Sequence, residues 1–333
     1  MTLRTYIIRR VILFVFILWL VATFNFIVFG GDPLAGIYEQ WMDPKTMEML
    51  TQGFGLNGPL LYRYVMYLRN MFTYGLVPPY FGWSTHDYDF IAVGMSRRLP
   101  LTLFVLGTSL VITMTFGILL GLFAASKQET KTDAAITASF LLTWGMPLFV
   151  TEWMSVFLFS YLYTVHGIKI FPVVGMTSVP APTGLALYAD IAWHFSLPII
   201  CLVLAGIGSW VLRTRNMIVD ALTQDHIVTA RAKGLSERTI LYKHAFKSIL
   251  PPVATMITLA IPGIVTGAIM TETIFGIEGI GKWFVHALDT SVADYPVVQA
   301  VLFIYATLVI ICNLIADFLY GVLDPRIRVG MRR

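Results

Sequence analysis

The chain has 333 residues, of which 57% are apolar and only 13% charged, against roughly 25% charge in a soluble domain. With a mean hydropathy of +0.75, this excludes a soluble enzyme or binding module and describes an integral membrane protein. The formal charge of +4 follows the topology derived below and makes no case for nucleic acid. Cys201 and Cys312 both fall in apolar runs, so neither a disulfide framework nor a Cys-based metal site is expected, and the six His have no ligand spacing.

Apolar runs of about 20 residues mark bilayer-crossing helices. Six are present: 11–31, 99–126, 134–163 (interrupted by Glu152), 191–212, 248–271 and 295–316. The first is long and lacks an A-x-A-like end, so it reads as a retained helix and not a cleaved signal. Gly31-Asp32-Pro33 stops it. Residues 32–97 then form a long external segment, in which Gly55-Leu56-Asn57-Gly58-Pro59-Leu60 reads as a turn between two short helical pieces. Ser96-Arg97-Arg98-Leu99-Pro100-Leu101-Thr102-Leu103 opens the second crossing, where Gly117 and Gly121 form a small-residue face that permits close packing. Residues 127–133 make a turn. The third crossing should kink at Pro147. The fifth is expected to start at Pro251, where a missing N–H costs little, and to break again at Pro262-Gly263.

Orientation follows from the Lys/Arg bias of the flanks. With the N-terminus in the cytoplasm, sixteen of the twenty-three Lys/Arg lie inside. Both termini are therefore expected to be cytoplasmic, together with a polar, basic stretch that separates the fourth and fifth crossings. That stretch holds seven Lys/Arg between Arg213 and Lys247 and three acids, Asp220, Asp225 and Glu237. Asp225 can N-cap a short helix. Gly234 suits the left-handed position that ends it, and Ser236 can cap the next. Ala230, Ala232 and Gly234 remove bulk, so another surface could approach closely. On composition alone, a solvated loop is the competing reading.

The order of residues adds a resemblance. Asp225-x-x-x-x-Ala230-x-Ala232-Lys233-Gly234-Leu235-Ser236, with His244-Ala245-Phe246-Lys247-Ser248 and Pro251 downstream, resembles the EAA loop of ABC-importer permeases, in the form found in the dipeptide/oligopeptide branch. Other motifs follow in the same order: Arg98-Leu99-Pro100-x-Thr102-Leu103; Phe171-Pro172-Val173-Val174-Gly175; Glu272-Thr273-Ile274-Phe275 through Gly281; Asp294-Tyr295-Pro296-Val297-Val298-Gln299; and Asp324-Pro325-Arg326-Ile327-Arg328. Asn57 and Glu278 depart from residues common in relatives (Asp and Pro), and 74–89 departs from their Gly-Asp-Leu-Gly.

The resemblance implies an all-α membrane protein with the six transmembrane helices of the type I ABC importer permease fold and a long extracytoplasmic segment after the first helix. It divides the chain into an N-terminal helix and external segment (1–94), a permease core (95–323) containing the coupling loop 213–250, and a cytoplasmic tail (324–333). It implies a B-type permease subunit in the cell membrane, forming half of a path for di- or oligopeptides. The partners implied are a second homologous permease, two ATPase subunits, an extracytoplasmic substrate-binding protein and membrane lipid. The chain itself would hold no cofactor, ATP and Mg being bound by the ATPases. Asp225, Ala230, Arg231, Ala232, Lys233, Gly234, Leu235 and Ser236 would form the ATPase-coupling element. The same architecture also serves oligosaccharides or nickel.

Glu152 is the residue that composition singles out, because an ionisable group facing lipid in mid-helix costs about 2.5–3.5 kcal/mol. It is expected to face the bundle interior, either hydrogen-bonded to a neighbouring helix or lining the path, where it could meet a cationic group. Trp144, Phe149 and Trp153 recur at helical spacings nearby and are candidate path residues, although such stripes more often pack or meet lipid. Gly276-x-x-x-x-Gly281-Lys282 imitates a phosphate loop, but Trp283 stands where Ser or Thr is required. No catalytic constellation or metal cluster assembles. A secondary transporter would need several ionisable midplane groups, and Glu152 is the one clear candidate.

Overall fold

In a computed structural model of the chain, the structure describes residues 3–29, 43–53, 56–74, 82–84, 86–87, 89–288 and 293–323. The Gly31-Asp32-Pro33 stop, most of the aromatic segment 74–89 and the tail 324–333 lie outside or largely outside them. The elements are α1 (Leu3–Phe29), α2 (Pro44–Gly53), α3 (Leu60–Tyr74), β1 (Trp83–Ser84), β2 (Asp89–Phe90), α4 (Ile91–Ser126), α5 (Lys131–Gly145), α6 (Leu148–His166), α7 (Leu185–Leu222), α8 (Asp225–Ala232), the single turn α9 (Glu237–Thr239), a π-helical stretch (Ile240–Ala245), α10 (Phe246–Phe275), α11 (Ile280–Leu288) and α12 (Tyr295–Leu323). Among the described residues five helical stretches are long and apolar enough to cross a membrane: Ile8–Phe29, Ile91–Ser126, Leu148–His166, Leu185–Leu222 and Tyr295–Ile315.

Several helices differ from the apolar runs that announced them. α4 begins at Ile91, eight residues ahead of the run, and passes through Pro100. The buried Ile91 and Met95 in its first turns offset the one backbone bond that Pro100 forfeits. The third run is two helices: α5 ends at Gly145 and α6 starts at Leu148, with Pro147 as the N-cap of α6, so the expected kink is a full break. α10 neither starts at Pro251 nor breaks at Pro262-Gly263; it runs continuously from Phe246 to Phe275. Ile249 and Val253, buried on either side of Pro251-Pro252, hold the helix through the two prolines.

The chain divides into two compact units. The first comprises Met1–Thr102, Ala268–Thr273 and Glu278–Leu314. In it, Leu18 and Ala22 of α1 share a core with Met71 of α3 and Phe303 of α12, and the Phe26 and Tyr64 rings pack edge to face with their centres 5.2 Å apart. A second core gathers Ile91 and Met95 of α4, Ile280, Trp283 and Ala287 of α11 and Val297, Val298, Ala300 and Val301 of α12. The β1–β2 pair, antiparallel with Trp83 opposite Phe90, is joined to this core by Asp294, which accepts from the Ser84 hydroxyl at 2.7 Å.

The second unit comprises Leu103–Gly267, Ile274–Ile277 and Ile315–Arg333. Glycines set its helix spacing. A Cβ on Gly121 would stand 2.7 Å from the Thr214 Cβ and from the Val211 carbonyl oxygen of α7. One on Gly208 would run into the Phe140 carbonyl of α5. The expected Gly117/Gly121 face is thus the surface along which α4 and α7 touch.

Candidate functional site

α7 continues well past its apolar run to Leu222, so 213–222 is helix and the loop proper is short. The polar stretch then folds as a tight unit. Gln224 is the N-cap of α8 and makes no side-chain cap bond. Asp225 is therefore inside the first turn and not the cap expected for it; its charge still favours the positive end of the helix. At the other end Gly234 has φ +78°. The Gly234 N–H donates to the Arg231 carbonyl at 2.9 Å and the Leu235 N–H to the Ala230 carbonyl at 3.4 Å. This pair of bonds is the Schellman closure, which needs a left-handed residue. Ser236 caps α9 by accepting from the Thr239 N–H at 3.4 Å, as expected. The helix then proceeds through the π-helical stretch into α10, so the loop holds one free short helix and not two.

α8 has two faces. Ile227 is fully buried and Ala230, one turn on, is 5% exposed. Both join a core with Leu122, Ile218, Ile240 and Leu241. The structure therefore turns Ala230 inward, against the expectation that its small side chain faces a partner; its spacing of three from Ile227 sets both on the apolar face. Asp225, Arg231, Ala232, Lys233, Gly234, Leu235 and Ser236 are all exposed. Val228, 56% exposed, lies on the outer face with Ala232 one turn away. It was overlooked in the sequence, although a valine in a polar stretch outside the inward spacing was a readable signal. Glu237, counted in the sequence only as one of three acids, was given no role there. It binds the Arg231 guanidinium through both oxygens, at 2.8 and 3.2 Å, across the Gly234 turn. That hydrogen-bonded pairing lowers the Glu237 carboxyl below its ordinary value.

A second charged pair stands at the start of α5. Asp133 takes two bonds from Arg215 of α7, at 2.8 and 2.6 Å, and the Glu129 N–H at 3.3 Å. The Arg215 hydrogen bonds are the main reason that the Asp133 carboxyl is held below the usual carboxylate range, against a smaller opposing effect of burial.

The four candidate path residues do not form one surface. Glu152 is fully buried. It shares the inner face of α6 with Ser155, which accepts from the Cys201 thiol of α7 at 3.4 Å, so it faces the bundle interior as expected. Trp144, Phe149 and Trp153 are about half exposed or more. A groove of about 300 Å³ lies elsewhere, lined by Leu106, Ser109, Leu110 and Thr113 of α4, Leu148 of α6, Leu202, Ala205, Gly206, Ser209 and Trp210 of α7 and Ala260 of α10. None of the four candidates is among its lining.

The imitation phosphate loop has a structural explanation. The Glu272 carboxylate accepts from the Gly281 and Lys282 N–H groups at 2.6 and 3.0 Å and from the Thr102 hydroxyl. The N–H groups at the start of α11 that a phosphate would need are already occupied by a carboxylate.

Comparison with known proteins gives the family. Residues 117–329 match the family described as binding-protein-dependent transport system inner membrane component, and residues 3–106 match the N-terminal family of the same membrane components. The chain is 32% identical over 326 residues to the oligopeptide transport system permease protein AppB of Bacillus subtilis (strain 168), covering 97% of this chain and 98% of that one. It is 32% identical to the di/tripeptide transport system permease protein DppB of Pseudomonas aeruginosa (strain UCBPP-PA14), with 90% of each covered. It is 31% identical to the dipeptide transport system permease protein DppB of Escherichia coli (strain K12), covering 92% of this chain and 93% of that one. The fold is similar to that of a chain in an inward-facing structure of the MetNI methionine ABC transporter, with a TM-score of 0.53 at 14% identity, covering 69% of this chain and 96% of that one. The chain belongs to the binding-protein-dependent transport system inner membrane components, the permeases of ABC importers.

Proposed function

We propose that this permease imports di- or oligopeptides, and that α8 with its Gly234 closure is the element through which partner ATPases drive it. The observation that carries the peptide reading is similarity over nearly the whole chain to permeases named for oligopeptides and dipeptides. The coupling reading rests on the geometry of α8, a short helix capped by a Schellman turn with Val228, Ala232 and Leu235 facing outward. In this reading α5 and α6 together make one crossing and α10 another. The membrane is then crossed six times, with both termini in the cytoplasm. ATP and Mg are held by the two ATPases, and a second permease and an extracytoplasmic binding protein complete the importer. Closure of the ATPases would push α8 and shift the bundle between inward- and outward-open states. The groove between α4, α6, α7 and α10 is this chain's share of the cargo path. Its hydroxyls and Trp210 suit peptide backbone and apolar side chains, and no ionisable group is among its described lining residues.

The test is uptake into proteoliposomes holding the full complex. Labelled tri-alanine should accumulate only with ATP inside the proteoliposomes, where the ATPases stand. A labelled trisaccharide or radioactive nickel taken up in its place would replace the peptide reading. Uptake driven by an ion gradient without ATP would overturn the importer.

A further inference from the structure

The coupling reading uses the exposed side of α8; the inner side has a separate role. Ile227, with no exposed surface, shares one buried cluster with Leu122 of α4, Ile218 of α7, Ile240 at the head of the π-helical stretch and Ile249 of α10. With the smaller Ala230, it joins the short helix to a cluster shared by three long helices. The π-helical stretch completes the socket. Its i→i+5 bonding, seen where the Phe246 N–H donates to the Leu241 carbonyl, brings Ile240 and Ala245 onto one side, and both are fully buried. In an α-helix, residues five apart would point well away from each other.

A close-packed socket passes a displacement on instead of absorbing it. The helices around this one are also joined to each other. α4 and α7 meet at Gly121, where even a Cβ would stand 2.7 Å from Thr214, and α5 is held to α7 by Arg215 and Asp133. A push on α8 therefore reaches α4, α7 and α10 together at Ile227.

We infer that Ile227 is a positioning residue that passes movement of the docked ATPase into the membrane helices, while the outer residues of α8 hold the ATPase in place. This rests on the coupling reading above. A change at Ile227 should leave assembly intact and separate hydrolysis from transport.

The experiment reconstitutes the complete importer with its binding protein. Three quantities are measured: ATPase retained on affinity purification of the permease, ATP hydrolysed, and labelled tri-alanine taken up per ATP. Ile227→Ala should keep the ATPases at the wild-type ratio and continue to hydrolyse ATP, while tri-alanine moved per ATP falls roughly tenfold. A wild-type value of that last quantity overturns the inference, and so does loss of the ATPases from this variant. Should Ile227→Ala fail to insert, the volume-conserving Ile227→Leu carries the test: it should assemble and lose roughly threefold in transport per ATP, and unchanged coupling sinks the idea. Val228→Asp separates the two readings. ATPase retained by Val228→Asp counts against the coupling element itself. ATPase lost from Val228→Asp, together with wild-type coupling in Ile227→Ala, removes only the role given to Ile227.

Discussion

Single residues carry sharp constraints here because each is bound to a backbone or charge requirement. Gly234 holds φ +78° with open space around it, so a larger side chain meets no neighbour and the cost is conformational. A β-branched residue in this region is strained by about 1–2 kcal/mol, enough to open the closure between Ala230 and Leu235. Gly234→Val should insert and bind its partner permease but lose the ATPases on affinity purification; retention at wild-type level would make the stretch an ordinary loop. Asp133 makes a different kind of prediction. Arg215 lowers its pKa, so its stabilising contribution is fully present above the unfolded value of about 3.9 and is lost as pH falls through the lowered native value. Asp133→Asn leaves the partly buried Arg215 without its charge partner. It should lower stability by about 1–3 kcal/mol at neutral pH, measured by thermal unfolding of the detergent-solubilised permease. The gap to wild type should close on acidification through that native value, and a pH-independent gap would contradict the assignment.

At the scale of elements, the contact faces follow from where bulk is missing. Gly121 and Gly208 bring α4 and α5 onto α7, and the groove lies where α6, α7 and α10 leave space beside α4. Ser209 stands on its wall with a hydroxyl that donates back to the Gly206 carbonyl at 2.9 Å, so it contributes little to holding the helices together. Ser209→Phe should fill the groove, reducing tri-alanine uptake by at least about tenfold while leaving ATPase binding unchanged, since bulk placed in the path blocks the cargo and not α8. Normal uptake would show that the cargo passes elsewhere. The aromatic residues Phe149, Trp153 and Phe157 are spaced along the exposed side of α6.

For the whole molecule the governing question is which end of each helix faces the cytoplasm. The Lys/Arg distribution predicts Lys45 and Lys282 outside and Ser236 inside. Native Cys201 is buried and Cys312 is only partly so, so the cysteines Lys45→Cys, Lys282→Cys and Ser236→Cys are introduced into a Cys312→Ala background, where they can be told apart from Cys201 by their reactivity. An impermeant maleimide added to intact cells should label the first two, and Ser236→Cys only after the membrane is opened. The reverse pattern would invert the topology and place α8 out of reach of any ATPase.

Hydropathy alone anticipated the five helical stretches that are long and apolar enough to cross a membrane among the described residues, because a lipid environment demands long runs with few charges. Ordered local motifs gave the family, and the need for positive φ at Gly234 was legible because only glycine adopts it at little cost. The cost of exposing Glu152 to lipid likewise predicted its inward position. Tertiary packing decided the rest. Helix starts at Ile91 and Phe246 were set by buried neighbours, ahead of Pro100 and of Pro251, the second of which local rules read as a boundary. The inward turn of Ala230, the seat of Ile227 and the groove on α4 and α7 depend on side chains more than a hundred residues apart in sequence, such as Leu122 and Ile227, meeting in one core. Local sequence states what each residue can tolerate; which face of a short helix is covered depends on the helices that arrive beside it.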